Sequence, residues 1–184
     1  MSLERIREEF NDLNRHPNSN LGLLVSLLSE NNYLDWRVSM IGPKDTPYKG
    51  GLFFLNVHFP DNYPNEPPEV CFITPIYHLN VNPKAPKNES DDFDKLGHVS
   101  ISTLNWWNPK YKMREVLYNI YSLFYHCNPD SAYGIDRAKE YNDDDGMFYF
   151  DKVKYFTKKY ANPKNCSINK IPIFRSIIIY TRIP

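Results

Sequence analysis

A proline-rich stretch between two strand-like segments most constrains how this chain can fold. Residues 60–68 hold four prolines in nine positions. Each proline fixes φ and removes a backbone donor, so this stretch can form neither a helix nor a central strand. The flanking segments, residues 51–59 and 69–74, are rich in apolar and β-branched side chains, which is typical of strands. The sequence therefore predicts two strands joined by a stiff, irregular connection.

Two more strand-like segments, residues 21–28 and 33–41, precede this pair. Alternate residues of the second segment are apolar, which indicates a strand with one buried face: Leu34, Trp36, Val38 and Met40. Before them, residues 2 to about 15 repeat apolar side chains at spacings of three and four, which indicates an amphipathic helix. Short connections between four consecutive strands favour an antiparallel meander with this helix on one face.

The C-terminal half is predicted to be helical, after an irregular and polar stretch over residues 76–104. A helix after Pro109 carries a wide apolar face: Met113, Val116, Leu117, Ile120, Leu123 and Phe124. Two further helices are predicted over residues 135–140 and 143–160. The second is expected to bury one side: Met147, Phe150, Val153 and Phe156. The fold class is therefore α+β, with a four-stranded antiparallel meander sheet, an N-terminal helix and about three C-terminal helices.

Length and charge limit the domain count and the partners. The 184 residues suit one domain over residues 1–161, with a polar insertion at about 82–95 and a C-terminal tail over 162–184. Lys and Arg number 22, as do Asp and Glu, so the formal net charge is zero. That balance opposes nucleic acid and anionic membranes as partners.

The termini and the cysteines indicate a reducing compartment. The first residues are charged and no apolar run is long enough to span a bilayer, so neither a signal peptide nor a membrane anchor is expected. Cys71, Cys127 and Cys166 lie far apart without metal-binding spacing, which opposes a zinc site or a disulfide framework. We expect no metal and no cofactor, and a location in the cytoplasm, with the nucleus as the alternative.

A series of motifs, in order along residues 1–161, resembles the ubiquitin-conjugating enzyme family. The motifs are Trp36 with Ile41-Gly42-Pro43, Thr46-Pro47-Tyr48-Lys49-Gly50-Gly51, Phe59-Pro60 with Tyr63-Pro64 and Pro67-Pro68, Tyr77-His78-Leu79-Asn80-Val81, Gly97 with Val99-Ser100-Ile101, Trp107-Asn108-Pro109, and Asn128-Pro129-Asp130. So many motifs in family order are far more specific than one proline pair. The resemblance implies the four-stranded antiparallel meander with flanking helices.

The resemblance also implies a transferase activity. Members accept ubiquitin, or a relative of it, from an activating enzyme as a thioester on one cysteine, and pass it to a substrate lysine with a ligase. A thiolate suits this exchange because it is both a good nucleophile and a good leaving group. The implied partners are the modifier, the activating enzyme and a ligase. ATP is used by the activating enzyme, so no cofactor is implied for this chain.

Carried over by position, the implied catalytic residues are Ser100, Asn80, Ser131 and His78. The family's His-Pro-Asn motif corresponds to His78, Leu79 and Asn80, with Asn80 expected to stabilise the developing oxyanion. Ser131 is expected to border the acceptor lysine. Ser100 occupies the position of the family's cysteine.

Two departures from the family pattern surround the candidate site. Leu79 replaces the motif's proline, and Asn80 and Ser100 lie 100 − 80 = 20 residues apart, with the polar insertion between them. Three interpretations of Ser100 stay open: a deliberate Cys→Ser substitution that disables or traps the enzyme, a natural non-catalytic variant that acts as a ubiquitin or partner binding module, and a serine nucleophile. A serine hydroxyl holds almost no alkoxide at neutral pH, so at best a slow oxyester is expected. None of the three cysteines lies at the motif position.

The family's docking surface for the activating enzyme and ligase maps to three segments. They contribute Arg5 from the first helix, Tyr63, Pro64 and Asn65 from the proline-rich stretch, and Trp107, Asn108 and Pro109 before the long helix. For Tyr63, Pro64 and Trp107, the alternative is that they hold the fold. Of the adjacent Trp106 and Trp107, we expect one to lie in the core and one to be exposed.

Overall fold

The computed structural model of the chain describes residues 2–17, 21–82 and 97–164. Its regular elements run in chain order as α1 (Ser2–Arg15), β1 (Leu24–Leu27), β2 (Asp35–Ile41), β3 (Leu52–His58), β4 (Glu69–Phe72), α2 (Ser102–Asn105), α3 (Met113–Ser122), a 3₁₀ turn (Pro129–Ser131), α4 (Ile135–Asn142), a second 3₁₀ turn (Asp143–Gly146) and α5 (Met147–Tyr160). Most of the insertion predicted at about 82–95 and of the tail predicted over 162–184 lies outside the described residues.

The four strands form one antiparallel meander in the order β1-β2-β3-β4. Val25 of β1 pairs with Val38 of β2, Val38 pairs in turn with Leu55 of β3, and Leu55 pairs with Phe72 of β4. This register aligns the apolar residues of all four strands on one face, as the alternation along each strand requires. The predicted α+β class and the meander are confirmed.

The core lies between that sheet face and the helices. Trp36, Val38 and Met40 of β2 are completely buried, which confirms the predicted buried face. On the helix side, α1 brings Phe10 against Trp36, with ring centroids 5.4 Å apart. Helix α3 buries the predicted apolar face through Met113, Val116, Leu117 and Ile120.

Two local predictions were wrong. Met147 is 64% exposed, whereas Val153 is buried as predicted, and α5 also buries Tyr149 and Thr157. The predicted side steps by three residues throughout, which rotates about 60° per step around an α-helix, so its two ends cannot face the same way. The stretch predicted to be irregular also ends in the short helix α2, because four residues are too few to show a periodic pattern.

Helix lengths also bear on membrane insertion. Among the described residues, no helix combines the length and the apolar character that crossing a bilayer requires.

Candidate functional site

The main chain holds Asn80 and Ser100 side by side. The Ser100 amide donates to the Asn80 carbonyl over 2.8 Å, and Val81 forms an antiparallel bridge with Val99. One residue further out, the Asn82 amide donates to the His98 carbonyl over 3.0 Å, and the Asn82 carbonyl accepts from the Gly97 amide over 2.9 Å. These backbone hydrogen bonds hold the two ends of the insertion, residues 80–82 and 97–100, side by side, and we call this pairing the base of the insertion. The long spacing between Asn80 and Ser100 does not separate them.

The buried Asn80 side chain joins this base to the 128–131 turn. Its Nδ2 donates to the carbonyls of Asn128 and Ser131 over 2.8 and 3.0 Å, and its Oδ1 accepts from the Asn128 amide over 2.8 Å. Both amide hydrogens and the amide oxygen are thus used within the fold. The oxyanion role predicted for Asn80 requires one of the two donated bonds to open first, so that role stays a prediction.

His78 supports the same segment from the core. The Asn80 amide is a donor, so the His78 Nδ1 that lies 2.9 Å from it must accept, and the ring hydrogen sits on Nε2, which faces the Leu123 carbonyl at 3.0 Å. Burial of the ring lowers the pKa of His78 to about 4. His78 is therefore a neutral imidazole with both nitrogens engaged. This geometry leaves neither ring nitrogen free to transfer a proton, and the place of His78 among the catalytic residues stays a prediction.

Ser100 is partly exposed and precedes the short helix α2. Its Oγ accepts a 3.0 Å hydrogen bond from Nδ2 of Asn105 in that helix. An amide nitrogen cannot take up the hydroxyl proton. Among the described residues, no carboxylate or imidazole is hydrogen-bonded to this oxygen, and an unactivated serine is a poor nucleophile at neutral pH.

Ser131 lies at the end of the 3₁₀ turn that Asn80 holds. The Asn128 side chain caps this turn by accepting from the Asp130 amide over 3.0 Å. The structure therefore brings three of the four predicted catalytic residues together, with Asn80 bonded to both Ser100 and Ser131. His78 reaches them only through the backbone of Asn80.

The described cysteines do not offer a ready substitute nucleophile. Cys127 directly precedes the 128–131 turn, where burial raises the pKa of its thiol and keeps it protonated. Cys71 lies half-buried on β4. Cys166 lies outside the described residues.

The predicted docking residues gather around one buried carboxylate that the sequence did not single out. Glu9 of α1 accepts from Arg5 Nε over 2.7 Å, from the Tyr63 hydroxyl over 2.9 Å and from the Met113 amide over 2.6 Å. In the sequence, Glu9 is one of several acidic residues in an amphipathic helix. Only its position between two apolar turns of that helix, beside Phe10, could have hinted at burial.

The tryptophan pair completes this cluster. Trp107 donates from Nε1 to the Pro64 carbonyl over 2.7 Å, and its ring lies 6.0 Å from that of Tyr63. Trp106 is 81% exposed, so the expectation of one packed and one exposed tryptophan holds. Asn65, Asn108 and Pro109 are also exposed. The three predicted docking segments therefore meet in one place, where the packed residues hold the fold and the exposed ones form a surface.

Within the described residues, no three His, Cys, Asp or Glu side chains gather as metal ligands.

The sequence of the chain matches a known family along nearly the whole length that the structure describes. A family model described as ubiquitin-conjugating enzyme matches residues 5–157. The match begins in α1 and ends in α5, so it includes both the base formed by Asn80 and Ser100 and the cluster around Glu9.

Proposed function

The chain belongs to the ubiquitin-conjugating enzyme family, and from that premise we propose that it engages a ubiquitin-type modifier and the modifier's transfer partners without forming a thioester of its own. The observation that carries the proposal is Ser100. The resemblance of the motifs around it to the family assigns it the position of the catalytic cysteine, and the hydrogen bond between its amide and the Asn80 carbonyl supports that assignment.

The chemistry of the Ser100 hydroxyl and of its neighbour Asn105 supports a binding role for the chain as it stands. Transfer of a modifier between carriers needs an attacking atom that ionises near neutral pH and later leaves easily. The Ser100 hydroxyl does neither. The hydrogen bond described for its oxygen is donated by the Asn105 side-chain amide, which cannot take up the hydroxyl proton. Ser100 would hold the modifier at most as a slowly formed oxyester.

The partners follow from family membership and from the cluster around Glu9. Membership of the family implies contact with ubiquitin, activating enzymes and ligases in general. The exposed Trp106 supplies a large aromatic anchor, and the exposed Asn65 and Asn108 supply polar groups, as protein interfaces favour. We assign the activating enzyme or ligase to this surface. ATP would be consumed by the activating enzyme.

A charging assay tests the proposal. The full chain and its Ser100→Cys variant are incubated with activating enzyme, ATP and ubiquitin, and adducts are separated on gels with and without thiol and hydroxide. We expect no thiol-sensitive adduct on the chain itself, and a fast thiol-sensitive adduct on Ser100→Cys. A Ser100→Ala variant controls for modification elsewhere, since any hydroxide-labile oxyester should disappear in it.

Charging also separates the proposal from its two rivals. Rapid turnover of the unaltered chain would overturn the binding role and make Ser100 an active nucleophile. The second candidate function is a complete carrier whose cysteine has been replaced, and the intact base between Asn80 and Ser100 favours it. A cysteine codon at position 100 in the source gene would establish that candidate. No adduct on Ser100→Cys would point to a modifier other than ubiquitin or to a pure binding module.

A further inference from the structure

The segment that carries Asn80 has a complete set of backbone hydrogen bonds. From the His78 carbonyl to the Val81 carbonyl, every N–H and C=O has a partner, and most of these partners come from distant parts of the chain. They are supplied by His78, Ser100, Tyr133, Arg137 and Tyr149. Buried backbone groups require such partners. The backbone conformation of this segment is therefore fixed mainly by hydrogen bonds to other parts of the chain.

The Leu79 amide receives its partner from the last helix. Leu79 is completely buried, and its N–H donates over 3.0 Å to the hydroxyl of Tyr149 on α5. Tyr149 is only 1% exposed, so water does not replace this acceptor. A buried amide hydrogen without an acceptor is strongly unfavourable.

Arg137 of α4 brackets the same segment from its two ends. Its Nη1 donates to the carbonyls of His78 and Val81, each over 2.9 Å. The guanidinium lies over the Tyr77 ring, 4.7 Å from the ring centroid. The two helices at the C-terminal end of the described fold thus reach the main chain on both sides of Asn80.

We propose that Tyr149 is a positioning residue for the candidate site, with Arg137 as its partner. Its hydroxyl fixes the Leu79 amide, and through it the turn of main chain that places Asn80 against both Ser100 and the 128–131 turn. Tyr149 touches none of the groups at Ser100 and acts only through Leu79 and Asn80.

The rival explanation is that Tyr149 only fills the core. Its ring packs against Tyr77 and Tyr141, with centroids 5.5 and 5.4 Å away, and a phenylalanine would make the same contacts. The hydroxyl separates the two explanations, because Tyr149→Phe keeps the ring and removes the acceptor of the Leu79 amide, together with the bond of that hydroxyl to the Tyr48 side chain.

Amide hydrogen exchange on the full chain provides the test. The reporters are the amides of Ser100 and Asn128, which donate to the main-chain and side-chain oxygens of Asn80. In Tyr149→Phe we expect both to exchange about tenfold faster or more, while the amides of β2 keep their rates. Tyr141→Phe is the matched control: it removes a neighbouring hydroxyl that bonds the Cys127 thiol instead, and should leave both reporters unchanged. Unchanged reporters in Tyr149→Phe would overturn the proposal.

A second substitution checks the bond from its other end. Leu79→Pro removes the amide hydrogen that Tyr149 accepts, so adding Tyr149→Phe to it should accelerate exchange no further. Independent, additive effects would contradict the proposal. If Leu79→Pro does not fold, the comparison of Tyr149→Phe with Tyr141→Phe decides alone.

An activity measurement links the positioning to transfer and rests on the proposed function. In a Ser100→Cys background, Tyr149→Phe should leave loading by the activating enzyme unchanged and slow discharge to lysine about tenfold. Equal rates of discharge with and without the hydroxyl would show that the segment's position does not matter for transfer. If the Ser100→Cys parent takes up no ubiquitin, the proposed function fails, while the exchange measurement still decides the role of Tyr149.

Discussion

At the scale of single residues, His78 shows how burial sets a protonation state. Its ring is 1% exposed and bonded through both nitrogens, with the Nδ1 lone pair facing the Asn80 amide. Protonating Nδ1 would place two donors against each other and a charge in the core. Burial, which disfavours that charge, is the main cause of the lowered pKa of His78, and the nearby positive charge of Arg137 adds to it. His78 therefore couples the stability of the site to pH.

We predict that stability falls as the solution is acidified through the range set by His78. The folded-state pKa of about 4 lies below the ordinary value of 6.5, so the unfolded chain takes up the proton first. The contribution is complete above pH 6.5 and is lost as the pH falls towards 4. The loss attributable to this ring is about 3 kcal/mol. It is measured as the difference in urea unfolding free energy between wild type and His78→Gln across that range.

A matched control isolates this effect from the acid titration of the carboxylates. His126 is exposed, so His126→Gln should keep the wild-type slope of stability against pH. His78→Gln is expected to be less stable at neutral pH but to lose less on acidification. An unaltered slope in His78→Gln would contradict the assignment.

At the scale of elements, one carboxylate joins parts of the fold that are distant in sequence. Glu9 of α1 binds the hydroxyl of Tyr63 in the proline-rich stretch and the first amide of α3 at Met113. That amide belongs to the first turn of a helix, where backbone donors lack partners and negative charge is favourable. Glu9 thus links α1 both to the first turn of α3 and to the proline-rich stretch.

Glu9→Gln should destabilise the protein by about 1–3 kcal/mol. The amide offers a single acceptor oxygen where the carboxylate offers two, so its NH₂ group must face the donor of either Tyr63 or Met113. Thermal and urea unfolding measure the loss.

The control for this prediction is the neighbouring residue. Glu8 is exposed on the same helix, and Glu8→Gln should change stability by less than about 0.5 kcal/mol. Equal effects of the two substitutions would mean that Glu9 acts through its charge on the helix and not through its three hydrogen bonds.

Elements in which apolar residues recur regularly over many positions could be predicted from the sequence. Elements that are too short to show such a pattern, or whose buried side differs from the pattern, could not. The alternation around Trp36 and Val38 and the wide apolar face of α3 both reflect burial against one flat neighbour, which periodicity records directly. Helix α2 has four residues and leaves no period to detect. Met147 was misplaced because the predicted side advances by three residues at each step, which turns it around the helix until its two ends face opposite ways.

The candidate site divides in the same way. Family motifs located Asn80, Ser100 and Ser131 because each lies within a recognisable run of neighbours. The bonds that position them could not be predicted, since Tyr149 and Leu79 are separated by 70 residues. No local pattern in the sequence marks either residue as the partner of the other.

At the scale of the whole molecule, the residue that follows α5 is hydrogen-bonded to the start of a central strand. Ala161 is completely buried, and its carbonyl accepts from the Leu52 amide at the start of β3 over 2.7 Å. Thr157, one turn earlier, is also buried. The contacts that complete the fold therefore extend past the end of α5 and include Ala161.

We predict that the contacts of Thr157 and Ala161 are needed for full stability, and a chain ending after Lys164 keeps them. A chain ending after Phe156 should lose at least about 2 kcal/mol, because the Leu52 amide loses its acceptor and the packing of Thr157 and Ala161 is removed. Both truncations are measured by urea unfolding. A large loss of unfolding free energy in the chain that ends after Lys164 would show that residues 165–184 contribute to the stability of the domain.

The hydrogen bond between the Ser100 amide and the Asn80 carbonyl has an evolutionary consequence. It fixes the backbone at position 100 without involving the side chain, whose described bond is one exposed contact with Asn105. Serine and cysteine differ by one atom, so exchanging them leaves the fold almost unaffected. A point mutation can therefore exchange serine and cysteine at position 100 without passing through an unstable intermediate, so such an exchange changes the chemistry of the position and not the fold.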